Sequence, residues 1–224
     1  MDRYATLSNV VAKRAAFLTI GQSPRDDIVD EMRPWWEHRN RLDVLQRGAL
    51  DGLARAEIES LAPKRGEQRL VTRLRGGTEV TLGADWVHRR IQEMVSELER
   101  ESLDFLVLLC TGRVPGLRSG KLVLEAQAIV DHTAAALGAA VGVLVPREEQ
   151  RSDVARDAPF VSHASPYSGD RFEEAAPELA GASVIVLHCM GYTEAMRTRM
   201  AEATGKPVLL ARRMVAGAVA QVLD

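Results

Sequence analysis

Cysteine is scarce in this sequence: there are two, too few for a disulfide framework, and no secretory signal accompanies them. Lys13-Arg14 precedes an apolar run, Ala-Ala-Phe-Leu-Thr-Ile-Gly, but the run is too short for a signal core and no cleavage site follows it. A soluble, cytoplasmic protein with reduced thiols is therefore expected. An excess of charge of either sign is also missing. Lys and Arg number 29 against 31 Asp and Glu, for a net charge of −2, and the basic residues are spread along the chain. That distribution excludes the concentrated basic field of a nucleic-acid binder. Long hydrophobic runs are absent too. The apolar stretch 122–145 is broken by Glu125, Gln127, Asp131 and His132, and Gly138 divides it into a helix pattern and a strand pattern. No membrane span is expected from it. The five histidines (38, 88, 132, 163, 188) form no metal-ligand spacing, and no P-loop, G-x-G-x-x-G or G-x-S-x-G motif occurs. Neither a cofactor nor a metal is expected.

What is present is a repeated pattern around the two cysteines. One run reads Leu103-Asp-Phe-Leu-Val-Leu-Leu-Cys110-Thr-Gly112, the other Ala182-Ser-Val-Ile-Val-Leu-His-Cys189-Met-Gly191. Short Val/Ile/Leu runs are the mark of buried parallel strands. A residue at the carboxyl end of such a strand lies where open α/β sheets bind ligands. Free cysteine also serves as a small buried hydrophobe, so two inert core thiols are the competing reading. The doubled placement favours a pair of thiols facing each other across one cleft.

Strand and helix patterns alternate along the whole chain. Strands are expected at 15–20, 42–47, 103–110, 140–145, 160–164, 183–187 and 207–210, with a hairpin of 69–74 and 78–82 around Gly76-Gly77. Helices are expected from Ser23-Pro24 to about 37, then at 54–61, 85–100, 123–137, 148–156, 171–179, 193–204 and 213–223. Trp35-Trp36, beside Pro34, reads as helix-end packing. Alternation of this kind implies an α/β fold with parallel sheets covered by helices on both faces. No linker or low-complexity segment interrupts it, and a second half begins near Pro115-Gly116.

A cysteine followed by a glycine turn and a helix start would have a lowered pKa, because unpaired backbone N–H groups and the positive helix end stabilise the thiolate. The same groups suit a carboxylate and a developing enolate, which makes Thr111, Gly112, Met190, Gly191, Tyr192 and Thr193 candidate substrate contacts. Each glycine has a second reading, as the residue that lets the backbone turn. Gln22, Ser23 and Arg25 follow the first strand and belong to the same rim; Arg25 could pair a carboxylate bidentately, while Ser23 has an alternative role as a helix cap. Arg212 and Arg213 follow the last strand, and one of them, Arg212, is taken as a further rim candidate. His188 neighbours Cys189, but strand alternation turns its side chain away from the thiol, so it reads as a packed histidine.

Taken together, Phe17-Leu-Thr-Ile-Gly-Gln-Ser-Pro-Arg25, Gly48-Ala-Leu-Asp-Gly-Leu53, Leu108-Leu-Cys-Thr-Gly112, Val143-Leu-Val-Pro146 and Leu187-His-Cys-Met-Gly-Tyr192 resemble the AroM protein family. That family is similar to the aspartate/glutamate racemase superfamily, which includes hydantoin racemases, maleate isomerases and arylmalonate decarboxylases. The resemblance implies two similar three-layer α/β/α halves with the ligand between them and, in the racemases, one catalytic cysteine from each half. It also implies domain limits: residues 1–118 with 206–224 returning to them, and 119–205. Cys110 and Cys189 are then the expected catalytic pair of a cofactor-independent racemase or epimerase acting beside a carboxylate or carbonyl. The expected ligand is a small carboxylate-bearing molecule, and self-association is left open. Two alternatives stand beside this: a one-cysteine isomerase or decarboxylase, and a non-catalytic small-acid-binding regulatory protein.

Overall fold

The computed structural model describes residues 12–37, 42–137, 140–154, 158–168 and 172–223. His38, Gly138, the last residues of the expected 148–156 helix and the first of the 171–179 helix lie outside the described residues.

Among the described residues, ten strands form three sheets. The first sheet holds β1 (Lys13–Thr19), β2 (Leu42–Gly48), β5 (Phe105–Leu108) and β6 (Leu122–Glu125) in the order β2-β1-β5-β6. The second holds β7 (Val141–Val145), β8 (Phe160–His163), β9 (Val184–Leu187) and β10 (Val208–Leu210) in the order β10-β9-β7-β8. Every pair in both sheets is parallel. Read in chain order, each sheet runs second-first-third-fourth, so the two are topological copies. In each, the chain order reverses between the first and third strands, and a crevice opens at their carboxyl ends. Cys110 follows β5 and Cys189 follows β9, the third strand of each copy. The third sheet is an antiparallel hairpin, β3 (Arg69–Arg73) with β4 (Glu79–Gly83).

The central strands are apolar on both faces because helices cover both. Phe105–Leu108 and Val184–Leu187 are buried throughout. The helices are α1 (Asp26–Met32), α2 (Arg55–Ser60), α3 (Ala84–Leu98), α4 (Ala126–Ala136), α5 (Arg151–Val154), α6 (Glu194–Thr204) and α7 (Ala211–Leu223). α3 buries Val87, Ile91, Met94, Val95 and Leu98 on the outer face of the first sheet, with Leu18, Leu106 and Leu108. Residues from both sheets, including Phe17, Phe105, Val107, Val143 and Val186, join Val215 and Val219 of α7 in one core between the halves. Trp36 is buried edge-on to Phe17, whereas Trp35 stays exposed. Gly205 ends α6 in the left-handed region at φ 65°, a conformation other residues adopt only at a cost. No helix among the described residues is long and apolar enough to cross a membrane.

Three local expectations change. The expected 123–137 helix begins only at Ala126, because Leu122–Glu125 pairs in register with Phe105–Leu108 as a strand. The 171–179 segment forms two short 3-10 turns, Phe172–Ala175 and Pro177–Leu179. The first helix starts at Asp26, with Arg25 at the cap position, and ends at Met32, followed by a 3-10 turn at Arg33–Trp35. Ser23 is not its cap: its hydroxyl donates to Asp51 Oδ2 at 2.5 Å, which removes it from the helix end.

Candidate active site

The strand ends after β1, β5, β7 and β9 open onto one cleft of about 1060 Å³ between the halves, roofed by the β3–β4 hairpin. Both cysteines line it. Their local geometry is the same: Gly112 N–H donates to Cys110 Sγ at 3.3 Å, and Gly191 N–H donates to Cys189 Sγ at 3.3 Å. The two loops also touch. Thr111 Oγ1 donates to the His188 carbonyl at 3.2 Å, and its hydroxyl reaches the Cys189 thiol. Neither glycine has a positive φ. Their requirement is close packing: a Cβ on Gly112 would lie 2.3 Å from Leu70 Cδ2, and one on Gly191 2.7 Å from Tyr167 Oη.

The thiols differ electrostatically. Burial pushes the Cys110 thiol up to about 12, against the Gly112 N–H; negative charge on neighbouring Cys189 acts in the same direction as burial. Burial also raises Cys189, but there Gly191 N–H, the charges of Arg25 and Arg212, and the Thr111 hydroxyl all oppose it. The lowered pKa expected from helix starts is not met, and the chain shows why. Cys110 is followed by a loop to β6 with no helix, and α6 begins five residues beyond Cys189. Desolvation therefore dominates at both positions.

A pH dependence follows. The folded protein retains the Cys110 proton above pH 9, where the unfolded chain has lost it, so this group's stability is intact below about 9 and lost toward about 12. Cys110→Ser, which does not titrate, is expected to lose less stability than wild type between those limits in urea melts. Parallel curves would place Cys110 in a more hydrated setting.

Arg25 sits against Cys189 from the first half. Its guanidinium is 7% exposed and pairs bidentately with Asp27, Nε to Oδ1 at 2.8 Å and NH2 to Oδ2 at 2.9 Å. Burial acts to raise the Asp27 carboxyl, but the Arg25 hydrogen bonds and charge outweigh it and hold the group below the usual carboxylate range. Arg25 also hydrogen-bonds Tyr167, whose phenol burial pushes up to about 12, with Cys189 adding to that shift and Arg25 opposing it. Tyr167 is thus a neutral O–H at the cleft wall. On the other side, His188 Nε2 lies 2.6 Å from Asp131 Oδ1 of α4, and Gln127 hydrogen-bonds the same carboxylate.

Of the residues singled out from sequence, Arg25, Cys110, Thr111, Gly112, Cys189, Met190 and Gly191 line the cleft. Five others do not. Gln22 Oε1 accepts from the Arg75 backbone N–H at 2.9 Å, and Ser23 is held by Asp51. The Tyr192 side chain is fully buried and donates to the Ala164 carbonyl at 2.8 Å. Thr193 caps α6 by accepting from Met196 N–H. Arg212 is 2% exposed and lies beneath the Cys189 loop. His188, read as a packed histidine, is 8% exposed with its ring held against Asp131; β9 ends at Leu187, so strand alternation stops short of it and the residue also borders the cleft. Tyr167 was not singled out, although Ser165-Pro166-Tyr167 follows β8 just as the other site loops follow their strands. Asp131 carries no sequence signal, since its partner lies 57 residues away.

A family model described as AroM protein matches residues 15–223. No curated protein matches the chain. Among solved structures, allantoin racemase from Klebsiella pneumoniae is 13% identical with a TM-score of 0.61, over 95% of this chain and 88% of that one. An unliganded arylmalonate decarboxylase is 12% identical with a TM-score of 0.59, over 95% and 93%. The maleate isomerase Iso from Pseudomonas putida S16 is 12% identical with a TM-score of 0.58, over 96% and 94%. At such identities the likeness establishes the fold, that of the Asp/Glu racemase-like enzymes.

Proposed function

This chain belongs to the AroM protein family, and on that premise we propose that it is a cofactor-independent racemase or epimerase acting beside the carboxylate or carbonyl of an acid. The observation that carries the reading is that two thiols, one from each sheet copy, line one cleft with matched glycine N–H contacts. In the forward step the Cys189 thiolate removes the α-proton and becomes a thiol. The electron pair of the C–H bond passes into the carbonyl to give a planar enolate. The Cys110 S–H then protonates the opposite face and is left as the thiolate. No oxidant or reductant is consumed, and the reverse reaction exchanges the roles.

With the Gly112 and Gly191 N–H groups given to the thiols, the enolate oxygen is held by the backbone N–H groups of Thr111 and Met190, aided by the Tyr167 hydroxyl. The electrostatics suit this division of labour. Arg25 and Arg212 favour charge on Cys189, while desolvation keeps Cys110 protonated. The same asymmetry supports a second reading, in which Cys189 works alone as nucleophile or proton donor in an isomerisation or decarboxylation.

The test is to incubate chiral carboxylic acids with the protein in D2O and follow the α-proton by NMR. Exchange of at least one acid is expected, without added metal or cofactor. Acids that shield Cys189 from alkylation yet never exchange would leave a binding protein in place of an enzyme.

A further inference from the structure

Arg212 was expected at the rim as a substrate contact, and instead it is a buried cation beneath the cleft. Its Nε donates to the Met190 carbonyl at 2.6 Å, its NH2 to the Gly191 carbonyl at 3.1 Å, and its NH1 to the Asp27 carbonyl at 2.7 Å. NH1 also meets Glu31 Oε2 at 2.8 Å. One guanidinium at the start of α7 thus grips two successive peptides of the Cys189 loop and the first turn of α1.

A trans peptide is planar, with its C=O and N–H pointing in opposite directions. The carbonyl that Arg212 draws down at 2.6 Å belongs to the peptide whose N–H is that of Gly191. That N–H is therefore turned up, toward the cleft, and it is the group that donates to Cys189 Sγ. We propose that Arg212 is a positioning residue for Cys189: held beneath the loop, it aims the Gly191 N–H at the thiol and supplies a fixed positive charge below it. The proposal rests on the reading of Cys189 as the reactive thiol. It adds the reason why this cysteine, of the two with matching glycine contacts, is the one prepared to carry charge.

The groups that face Cys189 define what else could set its ionisation. They are Arg25 of the β1 loop, Cys110 and Thr111 of the β5 loop, Tyr167 of the β8 loop and Tyr192 of its own loop. Asp27 and Glu31 of α1 lie behind, on Arg25 and Arg212. Arg25 also acts on Cys189 through its charge, each arginine being paired with a carboxylate, Arg25 with Asp27 and Arg212 with Glu31, but no hydrogen bond described for Arg25 holds a peptide of the Cys189 loop. Among the described residues, Arg212 is the cation that combines charge with a grip on that loop.

The test is the pH profile of Cys189 alkylation by iodoacetamide, read by mass spectrometry in a Cys110→Ser background, without any substrate. Arg212→Gln and Arg212→Lys are both expected to move the profile to higher pH. The shift for Arg212→Gln is expected to be near one unit, which slows alkylation about tenfold on the rising limb. Arg212→Lys keeps the charge beside Glu31 but cannot hold both carbonyls, so its shift is smaller; it decides the matter if Arg212→Gln does not fold. Glu31→Gln breaks the ion pair and leaves the carbonyl contacts, and its profile is expected to stay or move to lower pH. An unchanged profile in a folded Arg212 variant would overturn the proposal. So would a Glu31→Gln shift as large and in the same direction as that of Arg212→Gln, because general loosening would then explain both. Because the readout needs no turnover, a shift found in a protein without exchange activity would retain the proposal and remove only the enzymatic reading.

Discussion

Cys189→Ser is expected to abolish inversion of the substrate found by α-proton exchange, with a loss of at least about 10³-fold, within the range by which a positioned acid or base contributes. Cys110→Ser is expected to abolish inversion equally. The two variants differ in what they keep. Inversion needs proton traffic on both faces of the enolate, whereas exchange needs one. Each single variant should therefore still exchange the α-proton of the one enantiomer whose C–H faces the surviving thiol. If Cys110→Ser retains most of the rate while Cys189→Ser is inactive, the one-cysteine reading replaces the two-cysteine one.

The second large effect is expected at Gly191. A methyl group there would lie 2.7 Å from Tyr167 Oη, 2.8 Å from Pro166 Cγ and 2.9 Å from Tyr167 Cζ. None of these can yield cheaply. Pro166 is buried and its ring is rigid, the half-buried Tyr167 ring is tied to Arg25, and Gly191 is held from below by Arg212. Gly191→Ala is expected to cost on the order of 1–3 kcal/mol of stability through overpacking. By displacing the turn beside Cys189 it should also lose on the order of 10²-fold in exchange rate. Gly112→Ala is the internal comparison. A Cβ there would meet one atom closer than 3.0 Å, Leu70 Cδ2 at 2.3 Å, against three at Gly191, so the smaller loss is expected at Gly112. Equal losses for the two alanines, in urea melts and exchange rates together, would contradict the packing argument.

Much of this was legible in the sequence, for a physical reason. Runs such as Phe105–Leu108 and Val184–Leu187 are apolar at every position, which fits a strand buried on both faces of a parallel sheet. Their shared Cys-x-Gly ending points to one cleft. The β6 strand was not legible, because Leu122-Val-Leu-Glu125 suits a helix start as well as a strand; only its register with β5 decides. Arg212 follows the last strand, as a rim residue would, but α7 begins at Ala211 and carries it under the loop instead. The elevated thiol pKa values depend on burial and on the absence of a helix after Cys110, and neither can be read from the residues around a cysteine. Asp131 and His188 meet only through the packing of α4 on the second cysteine loop.

The central claim, that one acid lies between two thiols serving opposite faces, is tested most directly by where solvent deuterium goes. A single pure enantiomer is incubated in D2O, and substrate and product are separated early in the reaction. The account predicts deuterium in the product enantiomer and almost none in the recovered substrate, because the thiol that takes the proton is not the one that returns one. Product still carrying the original proton, or equal label in both enantiomers from the start, would mean that a single group moves the proton and would contradict the account.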